Sequence, residues 1–138
     1  MTYTTIRGAR QHSAANQQHV DRAVIELNGL DRASPDRLRG HLANPQNVLL
    51  SSDAAVALVM RAGEVYQRLW QLWVEEKARG QGIGSALLKH IISAYTADHL
   101  MELDCPAARE NFYKRHGFHP LWTAMEGAYV YMTGPAES

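Results

Sequence analysis

Residues 74–88, Val-Glu-Glu-Lys-Ala-Arg-Gly-Gln-Gly-Ile-Gly-Ser-Ala-Leu-Leu, constrain the fold of this chain more than any other stretch. An apolar run at 65–74 precedes the glycines and reads as a strand. After them, Ile83, Leu87, Leu88, Ile91, Ile92 and Tyr95 recur at helical spacing. A strand therefore enters a glycine-rich turn that opens a helix. The first turn of a helix has unpaired N–H groups and the positive end of the helix dipole. Gly80, Gly82 and Gly84 carry no Cβ, so an anion can come close to those groups. Arg79 adds a fixed positive charge, and a diphosphate is the natural guest. A tight connection with no ligand is the plainer alternative.

Two well-known nucleotide motifs fit less well. A P-loop needs Gly-Lys-Ser/Thr, whereas here Gly84 is followed directly by Ser85. The dinucleotide fingerprint Gly-x-Gly-x-x-Gly/Ala fails at Ser85 when counted from Gly80 and at Leu87 when counted from Gly82. Asp104 stands near the place of a ribose-binding acid, but too little chain follows the turn for a doubly wound sheet. What does match is Arg79-x-x-Gly82-x-Gly84. It resembles the acyl-CoA pyrophosphate motif (Gln/Arg-x-x-Gly-x-Gly/Ala) of the GNAT superfamily of N-acetyltransferases. Downstream, Asn111-Phe112-Tyr113-Lys114-Arg115-His116-Gly117-Phe118 is similar to that family's Phe-Tyr-x-x-x-Gly-Phe segment. The close resemblance covers about residues 68–118.

The resemblance implies a function and a set of roles. Arg79, Gly80, Gln81, Gly82, Ile83, Gly84 and Ser85 would hold the cofactor's diphosphate. The backbone of Leu72 and Val74 would pair with the pantetheine arm and polarise the thioester. Tyr113 would be the general acid that protonates the leaving thiolate; its alternative is an aromatic packed beside Phe112. Acetyl-CoA would be the co-substrate, with no metal. The acceptor would be a primary amine of a small molecule, an amino acid or a protein, attacking directly in a ternary complex.

Two departures bear on mechanism. Pro106 stands where relatives often have a cofactor-contacting Asn, seven residues before the tyrosine. Arg68 stands where some relatives carry an acidic general base, eleven residues before the motif arginine, and arginine cannot serve as a base. Glu64 and Asp31 are the substitutes the sequence offers. Arg68 also suggests a positive role, because a guanidinium binds a carboxylate in a two-point fork. With Trp70, two residues on along the strand, it would line the approach of an acceptor bearing both amine and carboxylate. Pairing of Arg68 with a surface acid is the alternative. The missing base also keeps open a second function, an acyl-CoA-binding regulatory module acting on a protein partner.

Composition narrows the rest. The chain has 138 residues, 46% of them hydrophobic, and 14 basic residues balance 14 acidic ones. One domain over 1–138 with a real core is expected, without the basic surface of a nucleic-acid binder. The lone Cys105 allows no intrachain disulfide and suits a reducing, cytoplasmic setting, where it reads as a small buried hydrophobe. The first residues lack a signal-peptide pattern and no apolar run reaches membrane length. His116 and His119 lack the further ligands that a metal would need. A homodimer is a possible assembly.

The element order follows from periodicity and breakers. A strand at 3–7 precedes a helix capped by Ser13 and ended by Asn28-Gly29. A second helix starts with Ser34 as cap and Pro35 as first residue, and stops before Asn44-Pro45. Strands at 47–51 and 54–60, a hairpin turn at 61–64 and a strand at 65–74 lead to the glycine turn. The motif helix runs to about residue 97. A strand at 100–103, a helix at 107–116 closed by Gly117, and strands at 121–125 and 129–133 complete the chain. The fold class is α+β, a GNAT-like mixed β-sheet flanked by helices in the order β-α-α-β-β-β-α-β-α-β-β.

Overall fold

The computed structural model describes residues 3–7, 14–31, 35–62, 66–96 and 100–135. The strands are β1 (Thr4–Arg7), β2 (Val48–Ser51), β3 (Ala55–Ala62), β4 (Tyr66–Val74), β5 (Met101–Pro106), β6 (His119–Ala124) and β7 (Tyr129–Gly134). The helices are α1 (Ala14–Asp31), α2 (Pro35–Ala43), α3 (Ile83–Tyr95) and α4 (Glu110–Lys114). Their order is the one the sequence predicts. The strands form one mixed sheet in the order β1-β2-β3-β4-β5-β7-β6. Among the described residues β4 pairs with β5 in parallel, as a connection through α3 requires, whereas β1–β2, β2–β3, β5–β7 and β6–β7 are antiparallel.

Several boundaries differ from the sequence expectation. α1 runs through Asn28-Gly29 and ends at Asp31, so Asp31 closes a helix instead of lying in a loop. A helical glycine costs only about 1 kcal/mol, less than the buried side of α1 at Val20, Ala23 and Val24 returns. A 3₁₀ turn, Glu76–Ala78, is inserted between β4 and the glycines. The helix expected at 107–116 begins as 3₁₀ at Ala107–Arg109 and is α-helical only at Glu110–Lys114. Ser13, Ser34 and the tip of the 61–64 hairpin lie outside the described residues.

The chain divides into two compact units. The first comprises Met1–Arg61 and Trp70–Gly84, the second Ala62–Leu69 and Ser85–Ser138. In the first unit, Val20 and Val24 of α1, Leu42 of α2, Leu49 of β2, Leu58 of β3 and Trp70 of β4 share one core. Trp73 packs against the same core although it is an odd number of residues from Trp70. Strict two-residue alternation of faces is therefore broken within β4. Arg22 of α1 donates to the carbonyls of Ser52 and Asp53 and lies 5.3 Å over the Trp73 ring, fastening α1 to the β2–β3 turn and the end of β4.

In the second unit, β5 has the half-buried pattern of a sheet covered on one face. Met101, Leu103 and Cys105 are buried, and Leu103 and Cys105 stand opposite the buried Met132 and Val130 of β7. Leu87, Leu88 and Ile91 form the buried stripe of α3. The opposite face of β5 carries Glu102 and Asp104, and its register partners on β7 are Thr133 and Tyr131. β6, paired on one side to β7, is exposed along its whole length. Its register shifts between Pro120 and Trp122, and that irregularity blunts an otherwise bare edge.

Candidate functional site

The glycine turn has the backbone of an anion cradle. Gly80 and Gly82 sit at φ +83° and +79°, a region that glycine enters without strain. A Cβ built on either would meet no heavy atom within 4 Å, so the space over the turn is open. Among the described residues, the N–H groups of Gly80, Gln81 and Gly82 donate to no backbone carbonyl outside regular elements. With the first N–H groups of α3, they supply donors to an incoming anion. Gly84 is already helical, so its lack of a side chain matters for access and not for conformation.

Side chains brace this turn. Arg79 Nε donates to the Val74 carbonyl at 3.0 Å, which fixes the arginine while its guanidinium stays exposed. Gln81 Nε2 reaches the Lys77 carbonyl at 3.4 Å. Ile83 is half-buried, and Leu72 is buried in β4 while Val74 is half-buried at its end.

In the second unit, Ser85 in the first turn of α3 meets a residue of the turn that follows α4. Its Oγ lies 3.1 Å from His116 Nε2. Burial holds the His116 imidazole below its usual range, helped by the positive charges of Lys89 and Arg115. This pair was missed in the sequence because no spacing rule links a helix start to a residue 31 positions on.

Tyr113 is held by the closure of α4. Phe118 N–H donates to the Tyr113 carbonyl and Gly117 N–H to the Lys114 carbonyl, while Gly117 takes φ +91°. These are the bonds of a Schellman motif, and its customary apolar contact is present. The Phe118 and Tyr113 rings meet edge to face at 5.9 Å, and Phe112 meets Tyr113 edge to face at 5.0 Å. The Gly-Phe at the end of the segment thus fixes the tyrosine ring. Burial pushes the Tyr113 phenol up to about 12, so at neutral pH it carries a proton to give.

Arg68 is engaged within the second unit. It is the last β4 residue in the ladder with β5, directly opposite Glu102. Its Nη1 lies 3.2 Å from Glu102 Oε1, and its Nη2 donates to Asp104 Oδ2. Glu102 Oε2 accepts from the Tyr131 hydroxyl. Burial opposes the Arg68 charge, but the two carboxylates more than offset this and raise its pKa. Tyr131 is pushed up to about 12 by burial and by its bond to Glu102, and Trp122 stacks flat on it at 4.2 Å. Arg68 has therefore found the acid partners left as an alternative, on a strand whose register the sequence does not display. Trp70 is a core residue of the first unit, its ring 5.5 Å from His41, and not an exposed stacking surface.

The other candidates are soon placed. Cys105 is buried, its thiol 3.7 Å from Met132 Sδ, and burial pushes it up to about 11, so it packs as a hydrophobe. Lys114 pairs with Glu110 at 2.6 Å on the exposed side of α4. Glu64 is outside the described residues, as is the Asp31 side chain. Among the described residues, no group of three His, Cys, Asp or Glu could hold a metal ion. No described helix is long and apolar enough to cross a membrane.

The chain belongs to the GNAT acetyltransferase family, because residues 45–120, more than half of it, match the family model described as acetyltransferase (GNAT) domain. It is accordingly an acyltransferase, a family that moves an acyl group from acyl-CoA to amine acceptors. No curated protein sequence matches the chain. Among solved structures it is similar to Escherichia coli ElaA, at TM-score 0.71 and 17% identity over 96% of this chain and 97% of that one. An acyl-CoA N-acyltransferase from Pseudomonas aeruginosa is similar at TM-score 0.71 and 17% identity, over 96% and 97% of the two chains. Ard1 from Thermoplasma volcanium is similar at TM-score 0.65 and 14% identity, over 96% of each. At such identities these likenesses speak for the fold.

Proposed function

We propose that this protein is an N-acetyltransferase that moves an acetyl group from acetyl-CoA to a primary amine by direct attack. The observation that carries the reading is the turn at Arg79–Ser85, with two left-handed glycines, uncommitted N–H groups and open space above them. In this reading Arg79 and the N–H groups from Gly80 to Ser85 bind the diphosphate, with Gln81 and Ile83 supporting the turn. The backbone of Leu72 and Val74, beyond the last ladder residue Arg68, pairs with the amide arm and orients the thioester. A thiol has a pKa of about 8.5, so its thiolate leaves readily, and a positioned acid adds roughly 10²–10⁴-fold. Tyr113, neutral and clamped by Phe112 and Phe118, gives that proton. A cytoplasmic, reducing setting belongs to the same reading, since the one cysteine is buried and unpaired.

The test is release of free CoA thiol from acetyl-CoA in the presence of a panel of primary amines, with the acetylated amine confirmed by mass. Turnover with at least one amine supports transferase activity. Tight acetyl-CoA binding with no turnover on any amine would favour the regulatory module instead.

A further inference from the structure

Within the second unit, α3 and the turn after α4 bring a set of anion-seeking side chains together. Ser85 Oγ lies 3.1 Å from His116 Nε2. Lys89 stands four residues on from Ser85, so both project from one face of α3. Phe112, four residues before His116, meets the imidazole at 5.3 Å and sets its ring. Arg115 adjoins His116, and the charges that act on the imidazole are those of Lys89 and Arg115, both positive. Neither cation has an acidic partner among the described residues. Lys114 on the same segment differs, because Glu110 holds it at 2.6 Å.

We propose that Ser85, Lys89, Arg115 and His116 form a phosphate-monoester site that reads the 3′-phosphate of acetyl-CoA. The inference rests on the acetyl-CoA reading above and deepens it. The nucleotide end of CoA carries two anionic groups, a diphosphate at the 5′ position and a phosphate monoester at the 3′ position, with one ribose between them. The diphosphate suits fixed backbone N–H groups. The monoester is close to a dianion at neutral pH, since its second pKa is about 6. Side-chain cations suit it: Arg115 offers a fork to two of its oxygens and Lys89 a point charge.

The order along the helix matches the order along the ligand. Ser85 closes the Arg79–Ser85 turn, and Lys89 lies about 6 Å further along the α3 axis at 1.5 Å per residue. A ligand whose diphosphate sits at the start of α3 has its next phosphate beside that same stretch of helix. His116 has a direct part in this. Burial and the two cations hold its imidazole below the usual range, so it is mostly neutral at pH 7. With its proton on Nε2 it donates to Ser85 Oγ, and the hydroxyl proton of Ser85 is then turned to the phosphate.

The experiment compares, by calorimetry, acetyl-CoA with acetyl-dephospho-CoA, which differs only in lacking the 3′-phosphate. Wild type should bind acetyl-CoA roughly 10-fold or more tightly than acetyl-dephospho-CoA. Combining Lys89→Ala with Arg115→Ala should reduce that preference to about two-fold or less, and His116→Gln should reduce it in part. Lys114→Ala, which removes a cation already held by Glu110, should keep it. The wild-type preference should also shrink as salt is raised. Equal affinity of wild type for the two ligands overturns the proposal. So does a preference that survives the double substitution, or one that Lys114→Ala removes as completely. Melting curves show that each variant is folded. If wild type binds neither ligand, the acetyl-CoA reading itself fails, a result distinct from a wild type that binds both equally well.

Discussion

Replacing Gly82 by valine separates what the turn does for the fold from what it does for the ligand. A Cβ at Gly82 meets nothing within 4 Å, so the protein suffers no clash. Its cost is conformational, because at φ +79° a side-chain-bearing residue pays about 1–2 kcal/mol. At about 2.1 cal/mol/K per residue, the 138 residues unfold with an entropy near 0.29 kcal/mol/K. The expected fall in Tm is therefore about 3–7 °C, and the protein stays folded. The same valine fills the open space over the N–H groups. Losing two charge-assisted hydrogen bonds of about 1.5–3 kcal/mol each weakens acetyl-CoA binding by roughly 10²- to 10⁴-fold. Gly127 is the control, since it has φ +88° and equally open space in the β6–β7 turn. Gly127→Val should cost a similar Tm and leave affinity unchanged. Calorimetry with acetyl-CoA and a melting curve on each variant give both numbers. Normal binding by Gly82→Val, or an equal loss in Gly127→Val, would refute the reasoning.

Further expectations follow from the same geometry. Acetyl-CoA at 100 times its Kd should add about 2.7 kcal/mol and raise Tm by roughly 9 °C, and a larger shift with NAD would point back to a dinucleotide site. Tyr113→Phe keeps both ring contacts, so kcat should fall with little change in acetyl-CoA affinity; an unchanged kcat leaves Tyr113 as packing. Because two carboxylates engage Arg68, an amino acid should be no better an acceptor than the matching amine; a carboxylate preference abolished by Arg68→Ala would restore the forked role. His116 is held below its usual range in the fold, so the unfolded chain takes up the proton first and stability drops as pH falls below about 6.5. Urea midpoints at pH 7.5 and 5.5 should differ less for His116→Gln than for wild type, and equal differences would count against this.

What was legible in the sequence was local. The strand, glycine turn and helix at 65–95 announce themselves through apolar spacing and through residues chosen for backbone freedom. Pro35 at the start of α2 and Gly117 at the close of α4 are likewise signals written within one turn of chain. Boundaries set by a balance of small terms were harder. Asn28-Gly29 is a proper stop signal, yet α1 passes through it, and the 107–116 segment divides between two helical types. Least legible was the pairing of Arg68 with Glu102 and Asp104. It depends on the parallel register of two strands separated by a whole helix, and no local pattern encodes that register. The same blindness hid the Ser85–His116 contact and the burial of Trp70 in the first unit's core.

The central claim is that acetyl-CoA held by the Arg79–Ser85 turn gives up its acetyl group to an amine. The most direct measurement is steady-state thiol release from acetyl-CoA with a primary amine at saturating concentration, on wild type and Gly82→Val. Amine-dependent turnover in wild type, with acetylated product in equal amount and loss of turnover in Gly82→Val, is the predicted result. Acetyl-CoA bound by wild type without amine-dependent thiol release, across the whole amine panel, would contradict it.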